Sequence, residues 1–292
     1  MRALFLSIAL IILSALPAWA TDILILQSSR TSAISDAANG FQAVYPGNTL
    51  TMVLADYAEM DVVRLVKEEQ PRLLLVLGDQ ALAASRKVRS VPVVALMALA
   101  PLHKGPTGFI NSIEPVAPPE RFFALFNAIG VKRVGVLYDP ARTGWYMKRA
   151  KSTAENSDVE LITREVSNPR DVLSRLEQLK GKVDALWMIP DATVVTSDTQ
   201  DAFFLFSLTQ HVPVVTYADH YLSKGAAISL SADLAETGRQ AAELTMSLLA
   251  NPDRDPVIKP ARKMRVRANA NILKKLGIPT AVIEKFAATL KK

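Results

Sequence analysis

The side chains best suited to bind a solute follow short apolar runs, each at the point where a run ends. Asp191 follows Ala185–Ile189, and Asp219 follows Val212–Tyr217. Carboxylates, hydroxyls and backbone N–H groups at such corners are the groups that orient a small polar ligand. The candidate ligand-binding residues selected in this way are Ser28, Ser29, Gly78, Asp79, Met97, Tyr138, Asp139, Asp191, Tyr217 and Asp219.

Most of these candidates also have a purely structural interpretation, which the sequence leaves open. Gly78 suits a tight turn as well as a close approach of ligand. Tyr138 and Tyr217 could pack in the core or stack on a ring of the solute. Asp191 and Asp219 could meet a ligand ammonium group. The residues that could instead serve as helix N-caps are Ser28, Ser29, Asp79 and Asp139.

The sequence carries no recognisable catalytic or metal-binding motif. It has no cysteine, which excludes thiol nucleophiles, thiolate metal sites and disulfides. The three histidines, His103, His211 and His220, lack the spacing of a zinc site, and no nucleophile elbow or glycine-rich phosphate loop occurs. We therefore expect no metal, no cofactor and no enzyme activity. Only His220, beside Asp219, merits a test as a ligand contact.

The elements that must position these residues alternate along the chain between apolar runs and amphipathic segments. Runs such as Leu73–Leu77 are continuously apolar, which is typical of parallel strands covered by helices on both faces. In the segment between two such runs, Val172, Leu176 and Leu179 share one helix face. The alternation predicts an α/β fold of two doubly wound parallel-sheet lobes with a hinge, in which ligands bind at the carboxyl ends of the strands.

A proline-rich stretch divides the two series of strands. Residues 101–119 contain five prolines and two glycines, a composition typical of a domain boundary. We therefore predict a first lobe at residues 21–115, a second lobe at 116–230 and a return to the first lobe at 231–258. The basic C-terminal segment, residues 259–292, could pack on either lobe. Closure of the hinge would trap a solute between the lobes.

The first 20 residues have the layout of a secretory signal peptide. Met1-Arg2 is a short basic start, residues 3–16 are mostly apolar, and Ala18-Trp19-Ala20 forms an A-x-A cleavage site. The apolar stretch is shorter than the roughly 20 residues that a membrane-spanning helix needs. We predict that residues 1–20 are removed and that the protein lies in the periplasm.

The net charge of +6 is concentrated at the C-terminus. Residues 259–292 contain ten Lys or Arg and one acidic residue, so the rest of the predicted mature chain is slightly acidic. A nucleic-acid-binding protein would show a basic stripe with interleaved aromatic residues across a folded face. We therefore expect no nucleic-acid partner, and we expect a monomer.

From about residue 130 onward the sequence resembles the ABC transporter substrate-binding protein family, whose better-known members bind aromatic amino acids such as tryptophan. The stretches that carry the resemblance are Val134–Pro140 (VGVLYDP), Asp184–Asp191 (DALWMIPD), Val212–Tyr217 (VPVVTY), Lys224–Ser229 (KGAAIS), Asp233, Gly238–Leu244 (GRQAAEL) and Asn269–Pro279. The resemblance implies the type I periplasmic binding protein fold. It also implies that Tyr138-Asp139, Asp191 and Tyr217 form site corners, although Asp139 stands where the family usually has Asn.

The predicted function is capture of a small molecule, amino acid-like or another small polar or aromatic solute, between two lobes. The resemblance implies delivery of that solute to an inner-membrane ABC permease. The alternative is a periplasmic sensor subunit, in which the same closure signals to a membrane receptor. Both functions need one cleft and one closure, so the sequence leaves them open.

Overall fold

The computed structural model describes residues 21–99, 110–252 and 254–290. The predicted signal peptide, residues 1–20, and the first part of the proline-rich stretch, residues 101–109, lie outside the described residues. Among the described residues, no helix combines the length and the apolar character needed to cross a membrane.

Strands and helices alternate along the first part of the chain. In chain order these elements are β1 (Ile23–Gln27), α1 (Ser32–Gln42), β2 (Thr49–Val53), α2 (Val62–Glu69), β3 (Leu73–Leu77), α3 (Asp79–Ala84), β4 (Val93–Leu96) and β5 (Ile110–Ile113).

The alternation largely continues through the second part, whereas the C-terminal region has two strands followed by two helices. The further elements are α4 (Pro119–Ala128), β6 (Arg133–Tyr138), α5 (Pro140–Glu155), β7 (Glu160–Glu165), α6 (Val172–Glu177), β8 (Ala185–Met188), α7 (Gln200–Gln210), β9 (Val214–Thr216), β10 (Ile228–Ala232), α8 (Leu234–Ala250), β11 (Ile258–Lys259), β12 (Met264–Ala268), α9 (Ala270–Lys275) and α10 (Thr280–Thr289).

The strands form two sheets, one in each lobe. The first has the order β11-β5-β4-β3-β1-β2 and is parallel throughout. The second has the order β12-β10-β9-β8-β6-β7, and only the pairing of β12 with β10 is antiparallel. The predicted fold class of two α/β lobes with mainly parallel sheets is confirmed.

The continuously apolar strands are buried on both faces. In β1, Ile23 and Ile25 pack into one hydrophobic cluster, whereas Leu24 and Leu26 pack into another on the opposite face of the sheet. Side chains alternate between the faces of a strand, so a strand covered by helices on both sides needs apolar residues at every position.

The chain passes between the two sheets three times. It crosses between β5 and α4, between β10 and α8, and between β11 and β12. Residues 264–290, whose lobe the sequence left open, lie on the second lobe. There β12 pairs with β10, and Leu273, Ile283 and Phe286 join the core that surrounds Trp187.

Two glycines allow α1 and α8 to pack with their backbones in contact. A Cβ atom at Gly238 would lie 2.0 Å from the carbonyl oxygen of Ala37, and one at Gly40 would lie 2.0 Å from that of Ala235. The contact joins the first helix of the chain to the helix that returns from the second lobe. The contact therefore fixes α8, which follows the second crossing, to the N-terminal part of lobe 1.

We predict that Gly238→Ala destabilises the protein by about 3 kcal/mol or more, because the added methyl group would meet backbone atoms that cannot move aside. Gly144→Ala is the matched control, since Gly144 is also helical and its added Cβ would meet only Pro140 Cβ, at 4.0 Å. Alanine is the better helix former, so this control should gain up to about 1 kcal/mol. Urea denaturation measures both values, and equal effects would contradict the backbone contact.

Candidate ligand-binding site

A cavity of about 570 Å³ lies between the two lobes. Its walls include Asp79 and Met97, which follow β3 and β4 of the first sheet, and Asp191 and Tyr217, which follow β8 and β9 of the second. The carboxyl ends of both sheets therefore face one gap. The volume is that of a small-molecule site.

The corner after β3 is built by residues that stand behind the cavity wall. Gly78 has a left-handed backbone (φ +95°), and a Cβ there would lie 2.5 Å from Ser28 Oγ. Ser28 Oγ accepts a hydrogen bond from the N–H of Ala81 at 2.9 Å, in the first turn of α3. Ser28 thus caps α3 from a neighbouring strand, whereas the N-cap of α1 is Thr31. This local structure presents Asp79 at the cavity.

Asp79 links the corners of two adjacent strands. Its Oδ1 accepts a hydrogen bond from the N–H of Leu99 at 2.9 Å, and Leu99 also lines the cavity. Met97, between them, has φ +54°, a conformation that non-glycine residues rarely adopt. The hydrogen bond and the turned backbone at Met97 together shape the lobe 1 wall.

Asp191 lines the cavity, but its carboxylate is used inside lobe 2. Oδ2 accepts from the N–H of Asp139 at 2.7 Å and from Thr143 Oγ1 at 2.5 Å. Oδ1 accepts from the N–H groups of Thr193 at 2.9 Å and Val194 at 3.2 Å. Only 1% of the residue is exposed. Asp191 therefore joins the corner after β8 to the corner after β6.

The corner after β6 stands behind the same wall. Asp139 is the N-cap of α5, since its Oδ1 accepts from the N–H of Ala141 at 2.9 Å. Its Oδ2 accepts from Thr193 Oγ1 at 2.7 Å. Tyr138 is buried, and its hydroxyl donates to Glu165 Oε1 at 2.8 Å. Both side chains are thus engaged within lobe 2.

An aromatic group covers part of the lobe 2 wall. The Tyr217 ring packs edge-to-face on Tyr221 at 5.6 Å between centroids, with the two hydroxyl oxygens 3.2 Å apart. Burial, reinforced by Tyr221 and Asp191, raises the pKa of Tyr217 strongly, so its phenol stays neutral. His220 also lines the cavity. Its partial burial lowers the pKa of its imidazole, and the positive charge of nearby Lys224 lowers that pKa further. Its imidazole is therefore neutral at pH 7.

Asp219 is the centre of a charged cluster in the cavity. Its Oδ2 lies 3.5 Å from guanidinium nitrogens of both Arg265 and Arg267, and both arginines line the cavity. These two arginines were not among the residues selected from the sequence. The alternation Met-Arg-Val-Arg-Ala in β12 indicates a strand with both arginines on one face, but it does not indicate which sheet the strand joins.

The cavity thus brings together half of the residues selected from the sequence. Those that line it are Asp79, Met97, Asp191, Tyr217 and Asp219. Those that lie outside its lining are Ser28, Ser29, Gly78, Tyr138 and Asp139. The second group includes the residues that cap helices or shape turns behind the wall.

Comparison with known proteins gives one matching family and several similar folds. A family described as "ABC transporter substrate binding protein" matches residues 54–287. A curated tyrosine-binding protein of Clostridioides difficile is 18% identical in an alignment of 197 residues that covers 64% of this chain and 56% of that protein. The chain therefore aligns with little more than half the length of this relative.

Solved structures of substrate-binding proteins share the fold. The ligand-free, open form of a substrate-binding protein with adhesive properties from Clostridium difficile has a TM-score of 0.72 at 16% identity, over 88% of this chain and 95% of that one. An ABC domain in complex with L-Trp from Streptococcus pneumoniae has a TM-score of 0.64 at 17% identity, over 90% and 97%. The predicted type I periplasmic binding protein fold is confirmed.

We predict that Asp191→Asn destabilises the protein by about 2–3 kcal/mol, because an amide cannot accept at both positions and leaves buried donors unpaired. Asp61→Asn is the control. Asp61 is an exposed N-cap that accepts from the N–H of Arg64 at 3.0 Å, and asparagine caps helices equally well. Chemical denaturation measures both variants. A loss at Asp191 no larger than at Asp61 would show that these hydrogen bonds contribute little.

Proposed function

This chain belongs to the ABC transporter substrate-binding protein family, and we propose that it captures a small solute between its two lobes and delivers it to a membrane permease. The observation that carries the proposal is the inter-lobe cavity, into which strand-end residues of both sheets project. Three crossing segments join the lobes, so the lobes can close on a solute by a hinge motion. The closed form would be the one that the permease recognises.

The cavity chemistry supports an amino acid with an apolar or aromatic side chain as the solute. Tyr217, Leu99, Met97 and Val116 supply aromatic and apolar surface, and acidic and basic side chains stand in the same cavity. The relatives named above are a tyrosine-binding protein and a domain in complex with L-Trp. Both oxygens of Asp191 are engaged by protein donors, so Asp191 shapes the cavity wall and is not a free acid or base for catalysis.

An extracytoplasmic location agrees with this function. Members of the family typically act outside the cytoplasm, and the first 20 residues have the composition of a cleavable signal peptide. We propose that the mature protein begins near Thr21 and meets its solute in the periplasm.

We predict that a thermal-shift screen of amino acids, purines, sugars and small anions yields a stabilising solute. At 100 times its dissociation constant, a solute that binds only the folded state adds about 2.7 kcal/mol of stability. L-tyrosine, L-tryptophan and L-phenylalanine are the first compounds to test. A screen in which no compound stabilises the protein would remove the support for solute capture.

We predict that Tyr217→Leu weakens binding of the aromatic solute roughly tenfold, because an aromatic pair contributes about 0.5–1.5 kcal/mol beyond the area it buries. Tyr217→Phe keeps the ring and should change affinity by less than about threefold. Tyr138→Phe, which removes a hydroxyl outside the cavity lining, is the control and should leave affinity unchanged. Isothermal titration measures all three. Equal affinity of Tyr217→Leu and wild type would place the solute elsewhere.

A further inference from the structure

Two arginines project into the cavity from the edge strand of lobe 2. Arg265 and Arg267 of β12 lie opposite Ser231 and Ser229 of β10. Side chains alternate along a strand, so these four residues share one face, while Val266 packs on the hydrophobic core. Arg265, Arg267 and Ser231 line the cavity, and Ser229 is buried behind them; we call these four residues the arginine patch.

One carboxylate serves both guanidinium groups of the arginine patch. Asp219 Oδ2 lies 3.5 Å from Arg265 Nη2 and 3.5 Å from Arg267 Nη1. Asp219 Oδ1 accepts from Ser229 Oγ at 2.6 Å and from Ser231 Oγ at 3.1 Å. Asp219 thus holds the arginines in place but balances only one of their two positive charges.

Arg265 also keeps hydrogen-bonding capacity that the described part of the chain does not use. Its Nε atom is buried and has no hydrogen-bond partner among the described residues. A guanidinium group carries five N–H donors, and the contact with Asp219 is longer than a normal hydrogen bond of this kind. The Arg265 side chain is 33% accessible, so its terminal N–H groups can reach an acceptor on a bound solute.

The opposite wall of the cavity carries negative charge. Asp36 of α1 and Asp79 at the start of α3 line the cavity from lobe 1, and both are exposed. The guanidinium groups of the cavity lining therefore lie on the lobe 2 wall, whereas lobe 1 contributes only carboxylates as charged groups. A solute with one negative and one positive group can pair with a guanidinium group on one wall and with a carboxylate on the other.

We infer that Arg265 and Arg267 form the subsite for the carboxylate group of the solute, which lies with its ammonium group towards Asp36 and Asp79. The inference rests on the proposed function and adds to it the side chains that would hold the carboxylate. Planar guanidinium groups match the two oxygens of a carboxylate, which makes arginine the side chain best suited to this contact. Asp219 is a positioning residue that keeps the two arginines at the cavity wall before the solute arrives.

The test compares acids with amides by isothermal titration of the full chain. The probes are L-tyrosine and L-tryptophan, each paired with its carboxamide and measured at about pH 6, where the carboxamide keeps a protonated ammonium group and the ring but lacks the negative charge. Wild type should bind each acid roughly 10- to 100-fold more tightly than its amide, the range expected for hydrogen bonds to a charged group. Arg265→Gln and Arg267→Gln should each remove most of that preference and leave the affinity for the amide nearly unchanged.

Two controls separate this effect from misfolding. Arg267 is more than half exposed, with 59% of its side chain accessible, so its variant tests the inference even where Arg265→Gln folds poorly. Arg133→Gln removes an arginine that pairs with Asp184 at 2.6 Å, at the opposite end of the sheet from the cavity. This control should keep the preference of wild type for the acid.

Equal binding of acid and amide by wild type would overturn the inference, as would an undiminished preference for the acid in Arg267→Gln. If neither amino acid binds, the solute found in the broad screen replaces them as the probe in the titration. A bound solute without an anionic group would overturn the carboxylate subsite but leave the proposed function standing. A screen without any bound solute would overturn both.

Discussion

The direct backbone contact between α1 and α8 is the constraint on which the cavity depends. Helix α8 begins immediately after the chain has crossed from the second sheet, and it reaches the first lobe by packing Gly238 against α1. The N-terminal turns of both helices then stand at the cavity, where Ser32 and Leu234 form part of its wall. The contact therefore fixes the end of the second crossing on lobe 1.

Aspartates serve two different roles around that gap. Asp191 and Asp139 accept hydrogen bonds from nearby backbone N–H and hydroxyl groups, and so they join the strand-end corners of lobe 2 to each other. Asp219 is likewise engaged by two serines and two arginines, whereas Asp79 is exposed on the opposite wall of the cavity. A carboxylate whose oxygens are engaged by protein donors shapes a site, whereas charge that faces the cavity is available to select a solute.

Sequence patterns were sufficient to predict the two-lobed α/β fold. Continuously apolar strands such as Leu73–Leu77 are typical of parallel sheets covered by helices on both faces, and this pattern is local. The rule that ligands bind at the carboxyl ends of parallel strands then selected Asp79, Met97, Asp191, Tyr217 and Asp219, all of which line the cavity. The rule could not separate them from Tyr138 and Asp139, because residues at the same kind of corner differ in which way their side chains turn.

The sequence by itself determined the elements, their alternation and the strand ends where a site could form, because these depend on local periodicity and composition. Only the tertiary structure decided that β12 lies against β10 and brings Arg265 and Arg267 to the cavity. It also decided that Asp191 is occupied by four protein donors. Both facts depend on residues far apart in the chain, and the periodicity of a single strand does not record which partner that strand will meet.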